Sequence, residues 1–331
     1  MRLSWQRAVL KQRFMLKLRR MRHTAQDASE SNQRNIVITG PGRSGTTLTC
    51  HLLNKLPDTL ALAEPIDPGQ FAYLLPDHEA VCDGIELFYR DMRRMALRQG
   101  VVLSKHVGGV VPDNTKGEVD GVRRRIAQKS KITVGKELHP GFYLVIKQVG
   151  LFKALLPSLA KRFPCFAIIR NPLAIKASSL SLQSHRKQRS NPQRAKKTQR
   201  SGNPQQRKPP RALVRYDAGI NLRMEDAREE GLDAVDKWII RMQLIFERYQ
   251  RELASEHIIR YEDIVASGGK ALEVIVPAAR ELDEPLESQN LNPLYSRDKV
   301  LRYGERLLQS DGAYWNFYSR ESVEEILNSL A

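Results

Sequence analysis

The feature that most constrains this chain is Gly40-Pro41-Gly42-Arg43-Ser44-Gly45-Thr46-Thr47, set between a short apolar run and a helix-compatible stretch that reaches about Leu56. The run before it, Asn-Ile-Val-Ile-Thr at 35–39, reads as a buried strand. Glycines let the backbone wrap an anion, exposed amides donate to it, and the helix N-terminus adds partial positive charge. The spacing fits the phosphate-cradling pattern G-x-x-x-x-G-K-[ST] except that Thr46 takes the lysine position. Without that lysine a transferred phosphoryl group loses a main electrostatic support. The loop therefore predicts phosphate binding and argues against ATP turnover. Arg43 becomes the cation available within it. An ordinary glycine-containing turn is the plainer reading, and the tandem hydroxyls after Gly45 weigh against it.

The rest of the chain alternates short apolar runs with helical patterns. Strands are expected at 60–63, 142–147, 165–169 and 257–261, and helices at 84–98, 151–162, 173–182 and 217–253. Strands separated by helices imply an α/β fold, a parallel sheet flanked by helices, with ligands beyond the carboxyl ends of the strands. Cys50, Cys82 and Cys165 are odd in number and far apart, which suits buried thiols better than a disulfide framework or a zinc cluster. No apolar run is long enough to span a bilayer, and no signal peptide is evident, so a cytoplasmic protein is expected.

The positive charge is unevenly placed. The chain has 54 Lys and Arg against 37 Asp and Glu, a net +17, which implies an anionic partner. Residues 1–33 form a basic arm in which Leu3, Leu10, Phe14, Leu18 and Met21 recur at helical spacing among arginines and lysines. Such a helix either lies on an anionic membrane as a peripheral contact or docks on the domain that follows. Residues 34–331 read as one domain carrying a basic, structure-poor insertion at 183–216. That insertion either steers an anionic acceptor or is a solvated loop. Aromatics are not interleaved in it, which disfavours a nucleic-acid platform.

A second phosphate site is visible at Ile169-Arg170-Asn171-Pro172, with Ser178 eight residues after the arginine. An arginine at a strand's carboxyl end can fork onto a phosphate, and Pro172 opens the next helix. Together the two motifs resemble those of the sulfotransferases that use 3′-phosphoadenosine 5′-phosphosulfate, PAPS. PGRSGTTL is similar to the family's 5′-phosphosulfate loop, IIRNPLAIKASS to its 3′-phosphate motif, and IIRYEDIV to its later R-Y-E-D-L motif. The resemblance runs from about residue 35 to 266.

By that resemblance the fold is a P-loop, nucleotide-kinase-like domain, the cosubstrate is PAPS, the acceptor is a carbohydrate or glycolipid hydroxyl, and no metal is expected. Gly42, Arg43, Ser44, Gly45, Thr46 and Thr47 would hold the 5′ end, and Arg170 and Ser178 the 3′-phosphate. Arg43 would neutralise the leaving phosphate. Lys147 falls on the family's lysine and would bridge sulfate and leaving oxygen. The histidine that follows that lysine by two residues in cytosolic members is Val149 here. Glu64, in Ala-Glu-Pro, is the first choice for general base and His106, expected on a loop, the second. Asp263 is expected to cap a helix, Trp238 to lie in the core, and Arg302-Tyr303-Gly304 matches the family's closing loop too briefly to be given a role. An ATP-dependent small-molecule kinase and a basic nucleic-acid-binding protein are the rival readings.

Overall fold

The computed structural model describes residues 34–119, 122–187, 216–292 and 294–330. The arm at 1–33 and most of the insertion, 188–215, lie outside the described residues. In chain order the strands are β1 (Asn35–Thr39), β2 (Thr59–Ala63), β3 (Val101–His106), β4 (Lys116–Val119), β5 (Val122–Arg125), β6 (Gln128–Thr133), β7 (Tyr143–Lys147), β8 (Cys165–Ile169) and β9 (Ile258–Arg260). The α-helices are α1 (Thr46–Leu53), α2 (His78–Gln99), α3 (Val149–Ala154), α4 (Leu156–Leu159), α5 (Pro172–Lys187), α6 (Ala218–Glu229), α7 (Ala234–Glu252), α8 (Tyr261–Ala266), α9 (Arg297–Leu308) and α10 (Arg320–Ser329).

The fold is α/β. A five-stranded sheet in the order β2-β7-β1-β8-β9 has every neighbouring pair parallel, and helices flank it. Sequences such as NIVIT, TLALA and CFAII are apolar at nearly every position because a parallel sheet is covered on both faces; all residues of these three strands are buried. Register fixes the edge that matters. Ala63 pairs with Lys147, Ile38 with Lys147, and Thr39 with Ala167. The residues just beyond them, Glu64, the glycine loop and Arg170, therefore leave the sheet along one carboxyl edge. The chain passes from β1 to one side and later returns to the other, so the glycine loop sits where the strand order reverses.

Two antiparallel hairpins stand outside this sheet and were not expected: β3 with β6, and β4 with β5. The first is anchored to the open edge of β2. The amide of Ala63 donates to Ser104 Oγ at 3.0 Å, and Asn54 exchanges two hydrogen bonds with the backbone of Ala61. A sheet edge covered in this way is closed to other strands.

The helical segments differ from expectation where the chain carries a breaker. The stretch 217–253 is two helices, interrupted at Gly231, whose φ of 71° is left-handed, and restarted by Asp233, which accepts from the amides of Val235 and Asp236. The stretch 151–162 is likewise split, with Pro157 opening α4. The three cysteines are buried thiols. Trp238 is only half-buried; it stands edge-on to Tyr303 with the Lys176 ammonium 3.7 Å from the tyrosine ring. A tryptophan in an amphipathic helix can equally cover a lysine stem, which periodicity does not distinguish from core. No helix among the described residues is long and apolar enough to cross a membrane.

Candidate active site

The glycine loop is built so that only glycine serves at two positions. A Cβ on Gly40 would lie 2.2 Å from the carbonyl oxygen of Ile168, and one on Gly45 2.5 Å from the ring of Tyr261. Both glycines have positive φ. Gly42, by contrast, faces open space. Ser44 is buried and donates its hydroxyl to the carbonyl of Pro41, tightening the turn at 2.8 Å. Gly45 then caps α1 without a side-chain acceptor, and the first turn holds no acid. The amides around Thr46 and Thr47 thus open the helix with its partial positive charge uncompensated by side chains.

Arg43 adopts φ 78° and Glu64 φ 46°. Among the described residues only three non-glycine side chains sit at positive φ, and two belong to this edge of the sheet. Each such conformation costs on the order of 1–3 kcal/mol and persists where the surroundings enforce it, a pattern that concentrates at functional sites.

On one flank of the loop, Arg170 stands just beyond β8, 4% exposed. Its Nε donates to Asn290 Oδ1 at 2.7 Å and its Nη1 to the carbonyl of Arg43 at 3.1 Å. Its guanidinium lies over the ring of Tyr261, 4.6 Å from the centroid. Its remaining nitrogen, Nη2, is buried and has no hydrogen-bond partner among the described residues. Ser178, fully buried on α5, accepts from Arg43 Nε at 2.9 Å. Arg43, Arg170 and Ser178 therefore form one cluster. The Nε of Arg43, expected at the leaving phosphate, donates to Ser178.

On the other flank lies Lys147, 4% exposed at the end of β7. It donates to Glu64 Oε1 at 2.8 Å and to Thr47 Oγ1 at 3.4 Å. Burial pushes its ammonium down to about 8, the neighbouring Arg43 pushes the same way, and nearby Cys50 opposes them. Lys105, on β3, ion-pairs with the other carboxylate oxygen of Glu64. Glu64 is thus held between two lysines.

His106 is not a loop residue. It ends β3, is buried, accepts at Nδ1 from the amide of Gly109 at 2.9 Å, and meets Ser130 Oγ through Nε2 at 2.7 Å. Both ring nitrogens are engaged in pinning the hairpin. Asp263 does not cap α8, which has no side-chain cap; it forks onto Arg260. Arg302 pairs with Asp233 on a surface far along the chain from both motifs.

The supporting residues are the ones that motif reading passed over. Asn290 receives Arg170 and donates through Nδ2 to Glu262 Oε1 at 2.9 Å. The same carboxylate accepts from the amide of Asn171 at 3.0 Å and from the hydroxyl of Tyr318 at 3.0 Å. Nothing near Asn290 in the sequence marks it, whereas Lys105 was visible beside His106 and was passed over for the imidazole. Among the described residues no group of three His, Cys, Asp or Glu side chains gathers where it could share a metal ion.

No family model and no curated protein matches the chain. Two solved structures are similar over most of its length. The sulfotransferase STF9 from Mycobacterium avium matches 93% of this chain and 79% of its own at 12% identity and a TM-score of 0.29. The sulfotransferase STF1 from Mycobacterium tuberculosis matches 93% and 81% at 13% identity and a TM-score of 0.30.

Proposed function

We propose that this chain transfers the sulfuryl group of PAPS to a hydroxyl acceptor. The observation that carries the reading is Arg170 Nη2, a buried guanidinium nitrogen with no partner among the described residues, beside a phosphate-type loop that lacks its lysine. An unmet donor of this kind costs about 1–3 kcal/mol, so a ligand acceptor is expected there. A 3′-phosphate on the nucleotide supplies one, and it is the group that separates PAPS from ATP.

In this reading the amides of the loop and first turn of α1, with Ser44, Thr46 and Thr47, receive the 5′ end of the nucleotide. Arg170, Arg43 and Ser178 receive the 3′-phosphate. Lys147 reaches the leaving oxygen as the sulfur–oxygen bond breaks and negative charge builds on the phosphate. Glu64 accepts the proton of the acceptor hydroxyl as its oxygen bonds to sulfur. The products are a sulfate ester, adenosine 3′,5′-bisphosphate and a proton. A carbohydrate or glycolipid is the acceptor class the motif resemblance suggests.

Calorimetric titration with adenosine 3′,5′-bisphosphate, AMP and ATP tests the assignment. Tight bisphosphate binding, weak AMP binding and a loss of about 10- to 150-fold on Arg170→Ala are expected from a charge-assisted contact of roughly 1.5–3 kcal/mol. Equal affinities for bisphosphate and AMP, or turnover of magnesium-ATP, would return the chain to the kinase reading.

A further inference from the structure

The hairpin of β3 and β6 places two lysines directly opposite one another: Lys105 pairs with Lys129 across the strands. Like charges in that relation destabilise a hairpin. They are accommodated because both reach the same turn at the end of β2. Lys105 ion-pairs with the Glu64 carboxylate, and Lys129 Nζ donates to the carbonyl of Pro65 at 3.3 Å. The hairpin is registered on that turn by the Ser104 contact with Ala63. Lys129 is exposed, while the Lys105 side chain is 15% exposed and that of Glu64 26%. Lys105 and Glu64 are thus still reached by solvent, unlike Lys147.

The loading of Glu64 is the second observation. Its Oε1 holds Lys147 and its Oε2 holds Lys105. Two ammonium neighbours favour the ionised carboxylate and oppose its taking a proton. Lys147 is held within the sheet, but Lys105 stands on an element outside it. An anion arriving beside Lys129 competes for Lys105 and leaves Glu64 with one lysine and an open oxygen.

Resting on the assignment of Glu64 as base, we propose that Lys105 and Lys129 are specificity residues that read an anionic group, a carboxylate or a phosphate, on the acceptor next to the reacting hydroxyl. The acceptor class is then an acidic sugar rather than a neutral one. Binding of the anion and opening of the base are one event: the group that satisfies the lysine pair is the group that frees Glu64.

The test uses the full chain loaded with adenosine 3′,5′-bisphosphate, which occupies the nucleotide site without reaction. Glucose, glucuronic acid and glucose 6-phosphate are titrated calorimetrically into the wild type, Lys105→Gln, Lys105→Arg and Lys129→Gln. The wild type is expected to bind at least one of the two acidic sugars about tenfold or more tightly over glucose, and comparing the two separates a carboxylate from a phosphate reader. Lys105→Gln and Lys129→Gln lose the preference, and Lys105→Arg restores most of it. Equal affinities for all three sugars in the wild type, no measurable binding of any, or a preference that survives Lys105→Gln overturns the inference. Bisphosphate affinity is unchanged in every variant if they fold; its absence from the wild type would mark failure of the PAPS reading instead.

Discussion

At the scale of single residues, the site is defined by side chains whose ordinary needs are unmet or over-met. Arg170 has one donor too many for its surroundings, Glu64 has two cations where one would neutralise it, and Lys147 is an ammonium nearly removed from water. The last has a measurable consequence. A lysine pushed down to about 8 is charged below that pH and neutral above it. If its charge supports the leaving phosphate, kcat falls as pH rises through about 8, although an ordinary lysine would hold its proton to about 10.4. Lys147→Met is expected to lower kcat at pH 7 by about 100-fold or more, since one positioned donor at developing charge is worth about 10²–10³. A flat profile from pH 7 to 9.5 would place the cation elsewhere.

At the scale of elements, the connection between the first helix and the edge strand is held by a residue from a distant segment. Lys136, just after β6, donates to the carbonyls of Leu56 at 2.9 Å and Thr59 at 3.0 Å and also reaches that of Asn54. Lys136→Met leaves those carbonyls without their donor and is expected to cost about 1–3 kcal/mol, read as a lowered Tm in thermal unfolding. The variant should still bind bisphosphate where folded, because the glycine loop proposed to receive it lies at the other end of α1. Contacts of this kind explain which elements the sequence disclosed. β1, β2, β7 and β8 were legible because a strand buried on both faces must be apolar throughout. β6, Gln-Lys-Ser-Lys-Ile-Thr, buries only Ile132 and carries no such signature. It is a strand because β3 pairs with it and β3 is fastened to β2, which is tertiary context and not local pattern. The glycine loop was legible for a related reason: Gly40 and Gly45 are demanded by backbone geometry within one segment. Asn290 comes from another segment and nothing local announces it, while Lys105 stands beside the candidate His106 and its pairing with Glu64 is set by tertiary contact.

At the scale of the whole molecule, the charge separates from the fold. Residues 1–33 hold eight Lys and Arg against two acids, and residues 183–216 hold eleven against none, so the remaining residues balance at 35 against 35. The strongly basic character that suggests an anionic partner therefore belongs to two segments, the second beginning in the last turns of α5, and not to the rest of the sheet and its helices. Deleting residues 189–211 removes eight of these cations. It is expected to bring elution from a heparin column to lower salt while leaving bisphosphate affinity within about twofold, since only the first depends on many diffuse contacts. Unchanged elution would shift the diffuse attraction to the arm. The chain of hydrogen bonds behind Arg170 spans a comparable distance in sequence with far fewer groups. Arg170 meets Asn290, Asn290 meets Glu262, Glu262 meets Tyr318, and Asn171, next to Arg170, donates to Ser322 at 3.0 Å in the first turn of α10. If bisphosphate binds at Arg170 as proposed, its arrival is audible at the far end of the polypeptide: amide exchange in α10 is expected to slow, and a probe fixed there would report a ligand it never touches.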